Sequence, residues 1–164
     1  MEQTALIISE NSHSIQPGDL KISFAPLDLS EVYQLADDGS NGAIVLMSGM
    51  VRNNTAGRSV LSLEYQAYQP MALKIFAEIT QSIHHQWPIV NRVIIHHRIG
   101  HLAIGEISVL IAVGSPHRKE AFAACQYAID TLKHNAPIWK KEHWADGASS
   151  WVSINDCEKN VEKI

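Results

Sequence analysis

NRVIIHHRIGHLAIGEISVLIAVG, residues 91–114, holds two runs rich in Val and Ile, 91–98 and 106–114, on either side of a turn at 100–105 bounded by Gly100 and Gly105. Runs of this length, joined by a turn rather than by a helix, predict strands that pair with each other. Immediately upstream, residues 69–87 carry Met71, Ile75, Ile79 and Ile83 at near-helical intervals and stop at Pro88, which predicts a long helix. Tyr65 and Tyr68 lead into it and read as packing residues. Before them, 42–52 and 60–67 predict two more strands, read as a hairpin closed by the long Gly-containing loop 53–59. Residues 21–25 alternate as a short strand. Residues 28–36 predict a helix entered through Pro26 and Asp28, and 37–42 form a loop.

Strands joined through turns outnumber those joined through helices. The expected fold class is therefore α+β, a mixed and largely antiparallel sheet with packed helices, rather than a doubly wound parallel sheet. Residues 1–20 are polar and marked by Pro17 and Gly18 apart from a short apolar run at 5–8, and predict a loosely ordered N-terminal segment ahead of a single domain at 21–164.

Composition narrows the function. An apolar fraction of 46% with 18% charged residues suits a globular chain, and 164 residues suffice for one sizeable core. Thirteen basic against seventeen acidic residues give a net charge of −4, which disfavours nucleic acid, as does the lack of an aromatic RNA-binding word. No apolar run approaches a membrane span, and the run at 5–8 is too short, and lacks the basic flank, for a secretory signal. Cys125 and Cys157 form no CxxC pair, so a reducing, cytoplasmic setting is expected.

The chemistry concentrates in SPHRKEAFAACQYAIDTLKHNAPIWKKE, residues 115–142. Ser115 followed by Pro116 predicts a helix start, with the hydroxyl as cap and proline at the first helical position. Phe122, Cys125, Ile129 and Leu132 recur at three- and four-residue spacing as a buried stripe, and Ala121, Ala124 and Ala128 allow close packing beside it. His117, Arg118 and Lys119 place positive charge at the positive end of the helix dipole, where stability alone would prefer acids. Such a turn is either a solvated basic patch or a site for phosphate or carboxylate. Lys133, at the other end, suits the dipole by itself. From His117 to Lys141 there are five Lys or Arg and two acids, a local excess of +3 against the sign of the whole chain. That reversal points to a small anionic ligand or an acidic tail.

These words, taken together, resemble the large, catalytic subunit family of molybdopterin synthase: VRN at 51–53, LEYQAYQPMA at 63–72, HRIGHLAIGE at 97–106, SPHRKEAF at 115–122, LKHNAPIWKKE at 132–142 and WV at 151–152. They run in family order over most of the chain. The resemblance implies an α/β-hammerhead-like fold and sulfur insertion into cyclic pyranopterin monophosphate to give molybdopterin. It implies as sulfur donor a separate small ubiquitin-like subunit ending in a Gly-Gly thiocarboxylate, and a homodimer of the large subunit within a heterotetramer. No cofactor or metal is implied.

Residue roles follow from the matching words. Arg52 would otherwise read as a solvated strand-end charge; by resemblance it joins His117 and Arg118 in binding the phosphate or pterin end, where its fork grips a phosphate as lysine cannot. Lys133 and Lys140 are implied to flank the reacting carbons and the partner's terminal carboxylate, as electrostatic stabilisers or proton donors. A lysine in a desolvated pocket could also serve as base or acyl acceptor. Lys141 and Glu142 are placed at the pocket wall. The family often has a basic residue soon after the final WV; Ser153, Ile154 and Asn155 stand there in this chain, so no cation is expected from that segment.

Nine histidines invite a metal reading, but adjacent residues such as His96 and His97 in a strand point to opposite faces, and no HExxH word occurs. No Gly-rich phosphate loop is present either. The remaining alternative is a non-catalytic scaffold that binds a ubiquitin-like tail.

Overall fold

The computed structural model describes residues 13–154. The two Val/Ile runs form β5 (Arg92–Arg98) and β7 (Ile107–Ser115), which pair antiparallel in the register Val93↔Val113 and Ile95↔Ile111. They are the centre of a four-stranded sheet in the order β1-β5-β7-β2, with β1 (Leu20–Ser23) parallel to β5 and β2 (Ala43–Met50) antiparallel to β7. The remaining strands are β3 (Asn54–Thr55), β4 (Arg58–Ala67), β6 (Gly100–Ala103), β8 (Ile138–Trp144) and β9 (Ser149–Ser153). They form a second sheet in the order β3-β4-β8-β9, with β6 also on β4, and all its pairs are antiparallel. With α1 (Leu29–Ala36), α2 (Gln69–Gln86) and α3 (Arg118–Asn135) packed on these sheets, the fold is α+β and largely antiparallel.

Side-chain alternation divides the core. Ile94, Leu110 and Ala112 point to one face of the first sheet, where Val32 and Ala36 of α1 cover them. Val93, Ile95, Val109, Ile111 and Val113 point to the other, against α2, α3 and the inner face of the second sheet. Asp28 caps α1, accepting from the N–H groups of Ser30 and Glu31. Asp19 is buried and ion-paired with Arg92, and His13 stacks on His84 at 4.5 Å between ring centroids.

Four expectations are corrected. First, 42–52 and 60–67 do not pair: β2 belongs to the first sheet and β4 to the second, because the chain crosses between sheets after Met50. What the loop does form is a two-residue hairpin, β3 with β4, turning through Ala56 (φ 50°) and Gly57 (φ 81°). Second, Ser115 does not cap α3. Its backbone is still in the β7 ladder opposite Ala43, so the helix begins at Arg118 with His117 as an N-cap that makes no side-chain bond. Gly42 is forced by the same junction, since a Cβ there would stand 2.2 Å from the Pro116 carbonyl oxygen.

Third, Phe122 is 63% exposed, and α3 instead packs through Ala121, Ala124, Cys125, Ala128 and Leu132. A row of alanines lets the helix axis approach the strands, which a phenylalanine in the same row would prevent. Fourth, α2 buries Ala72 and Phe76 with Ile79 and Ile83, while Met71 is left exposed.

Two outcomes follow. Ala56 occupies left-handed backbone that favours Gly or Asn. Ala56→Asn should therefore stabilise the protein by about 0.5–1 kcal/mol, read as a higher urea midpoint. Burial depresses His97 to about 4, burial and the nearby His13 depress His84 to about 4, and burial lowers His96. Each of these groups binds its proton more readily when unfolded, so stability is complete above pH 6.5 and is lost as pH falls toward 4. His97 alone should account for about 3 kcal/mol by pH 4, and a urea midpoint that does not move between pH 7 and 4.5 would contradict this assignment.

Candidate active site

A cavity of about 330 Å³ opens where the two sheets meet the C-terminal end of α3. Its apolar wall is Met47, Met50, Leu63, Val109, Ile129, Leu132 and Ile154, and its polar wall includes Arg52, Thr55, Tyr65, His97, Ser108, Lys133, Lys140 and Glu142. Of the residues singled out by sequence, Arg52, Lys133, Lys140 and Glu142 come together here. His117, Arg118 and Lys141 do not line it.

Local structure explains each placement. Arg52 follows Val51, which is clamped to the 105–106 turn: its N–H donates to Glu106 C=O at 3.0 Å, and its own C=O accepts from Gly105 N–H at 2.9 Å. Lys133 lies in the last turn of α3, which ends at Asn135. Tyr68 N–H donates to Pro137 C=O at 3.1 Å, holding the returning chain against the start of α2 as β8 begins.

Along β8 the side chains alternate: Ile138, Lys140 and Glu142 are buried, and Trp139 is exposed. Lys141 is out of phase with the cavity, its ammonium 5.6 Å from the Trp151 ring centroid. His117 and Arg118 lie fifteen or more residues before Lys133, about 22 Å along the helix axis at 1.5 Å per residue. No side chain spans that distance.

Lys140 and Glu142 form a buried ion pair, Nζ to Oε1 3.2 Å, with side chains 10% and 3% exposed. The carboxylate is engaged on both oxygens: Thr55 Oγ1 donates to Oε1 at 3.2 Å and Trp144 Nε1–H donates to Oε2 at 3.1 Å. Glu142 thus fixes the ammonium of Lys140 in the cavity wall. Arg52, Lys133 and Lys140 bring three cationic side chains to the polar wall, beside the one carboxylate of Glu142. An anion is the complementary occupant.

Four polar wall residues, Thr55, Tyr65, His97 and Ser108, have no site role in the sequence reading. Tyr65 does pack, with its ring inclined at 73° to that of His97 and 5.3 Å between centroids, but it also faces the cavity. From sequence His97 offers only a metal-ligand reading. Strand phase was the available signal, since His97 shares parity with Val93 and Ile95 on the inner face of the sheet. Among the described residues no three His, Cys, Asp or Glu side chains are placed to hold a metal ion, and no helix is long and apolar enough to cross a membrane.

Comparison with known proteins shows the family and the fold. The family model described as MoaE protein matches residues 22–135. The molybdopterin synthase catalytic subunit of Nostoc sp. is 68% identical over 139 residues, covering 85% of this chain and 84% of the relative. Catalytic subunit 1 of Aedes aegypti is 44% identical and covers 84% and 90%. Among solved structures, molybdopterin synthase from Staphylococcus aureus superposes with a TM-score of 0.76 at 44% identity, covering 80% of this chain and 94% of that one. A complex of subunits 1 and 2 of the molybdopterin-converting factor from Helicobacter pylori superposes with a TM-score of 0.66 at 25% identity, covering 82% and 88%. With the family model, the relatives and the fold in agreement, the chain belongs to the MoaE family of molybdopterin synthase catalytic subunits.

Proposed function

We propose that this chain converts cyclic pyranopterin monophosphate to molybdopterin, taking sulfur from the C-terminal thiocarboxylate of a small ubiquitin-like subunit. The observation that carries the reading is the convergence of Arg52, Lys133 and Lys140 on one partly apolar cavity. The converting-factor complex of subunits 1 and 2 among the structural neighbours supports a small-subunit partner.

Cys125 is a poor alternative source of nucleophilic sulfur: it is 4% exposed, and burial pushes its thiol up to about 11. The activated sulfur is assigned to the partner, as the resemblance to the family implies. In each transfer the thiocarboxylate sulfur forms the new bond to a pterin side-chain carbon while a C–O bond at that carbon breaks, its oxygen leaving as water or, where the carbon carries the cyclic phosphate ester, with the phosphate, giving a thioester between tail and pterin. Water then adds to the acyl carbon, the acyl C–S bond breaks, the tail leaves as a carboxylate and the sulfur stays on the pterin as a thiol.

Negative charge develops on the departing oxygen in the first half of that sequence and on the acyl oxygen in the second, when water adds. Lys133 and Lys140 are the groups proposed to stabilise it, with Glu142 positioning Lys140. Arg52 is proposed to hold the phosphate. Within one chain His117 and Arg118 stand too far from Lys133 to touch the same ligand, so their role as phosphate or pterin ligands requires a second copy of the chain. That need supports a homodimer of large subunits, each with a small subunit, as a heterotetramer. Lys141 is proposed to act at the rim, where an acidic tail would pass.

The deciding experiment is molybdopterin formation from the pterin precursor and thiocarboxylated small subunit. A scaffold would bind the tail and leave the pterin unconverted. Lys133→Ala should lower the single-turnover rate about 10²–10³-fold, by analogy with a lost oxyanion donor, while its melting temperature barely changes. If Lys133 served only the helix dipole, turnover would be near normal and the assignment would fail. Composite sites make a separate demand: mixing inactive Arg118→Ala and Lys133→Ala chains should recover activity, to about a quarter of wild type if subunits exchange at random. Recovery indistinguishable from zero, with exchange demonstrated, would exclude the shared site.

A further inference from the structure

The polar wall of the cavity is rich in donors. Arg52, Lys133 and Lys140 can only donate, and the Glu142 carboxylate already accepts from Lys140, Thr55 and Trp144. A reduced pterin carries N–H groups along its ring edges as well as acceptors. Binding it in a desolvated cavity leaves those donors unpaired unless the protein supplies a lone pair.

His97 is built to supply one. It is 3% exposed, lies on the inner face of β5 and faces the cavity. Its Nδ1 is 2.7 Å from the carbonyl oxygen of Arg98. Because a carbonyl only accepts, Nδ1 must carry the proton, and the neutral ring keeps its lone pair on the distal Nε2. Tyr65, edge-on to the imidazole, restricts its rotation. Burial holds the ring at about 4, so it remains neutral at physiological pH and accepts a hydrogen bond without removing the proton.

The geometry points to His97 as a substrate-contacting residue of this cavity, its Nε2 accepting a hydrogen bond from a ring N–H of the bound pterin. The inference rests on the pterin reading proposed above. It gives the cavity two chemically separate ends: cations for the phosphate and the reacting carbons, and a neutral acceptor for the heterocycle.

Three variants test it in the full chain. His97→Leu removes both ring nitrogens. His97→Asn can still donate to the Arg98 carbonyl but does not reach the Nε2 position, whereas the longer His97→Gln can place an oxygen there. The dissociation constant for cyclic pyranopterin monophosphate, measured anaerobically beside a thermal unfolding curve, should rise about 10-fold or more for Leu and Asn and stay within about threefold of wild type for Gln. Should Leu fail to fold, the comparison of Asn with Gln decides. Wild-type affinity in a folded Leu or Asn variant would overturn the role of His97 and leave the functional reading standing. A Gln variant as weak as Asn would overturn the acceptor assignment. A wild-type chain that does not bind the pterin would overturn both.

Discussion

Burying the ammonium of Lys140 is the constraint on which the site depends. A lone charge with 10% side-chain exposure would cost several kcal/mol, and it is tolerated because Glu142 meets it at 3.2 Å. Glu142 is in turn held by Thr55, on the short β3 strand, and by Trp144, at the end of β8. One carboxylate thus ties the β3–β4 hairpin to β8. The register of β4 with β8, Tyr65 opposite Lys140 and Leu63 opposite Glu142, brings Tyr65 and Leu63 onto the same cavity wall. Removing either member of the pair would leave the other charged and buried, which costs far more than the pair contributes when intact.

Helix α3 is the second organising element, a rod with a basic group at each end. Its alanine row presses close to the first sheet, and that contact sets where Lys133 emerges. The same rigidity carries Arg118 and His117 away from the cavity. A helix is stiff over this length, so no local adjustment brings its two ends to one ligand. The two basic clusters, on one helix and its exit, are therefore spatially separate within a chain.

Two neighbouring histidines show how strand phase sorts chemistry. His96 turns toward the α1 side, where its Nε2 meets the Gly18 carbonyl at 2.7 Å. His97, one residue on, faces the cavity. Both are buried and both are held below the usual histidine range by desolvation, yet one fastens the segment before β1 and the other lines the site.

Much of this was legible in the chain itself. The strand runs at 91–98 and 106–114, the helix stop at Pro88 and the Asp28 cap are local signals, governed by side-chain period and by what proline and glycine permit. They sufficed for the fold class. What tertiary structure decided was partnership. Whether 42–52 pairs with 60–67 or with 107–115 is decided between segments far apart in the chain, and neither strand encodes its neighbour. Ser115 has the chemistry of a cap but lies in a ladder, and Phe122 has the spacing of a core residue but sits outside the alanine row. His97 became a cavity residue only when β4, β7 and α3 closed around it. Local propensities follow from a few adjacent residues, whereas burial and convergence are properties of segments dozens of residues apart.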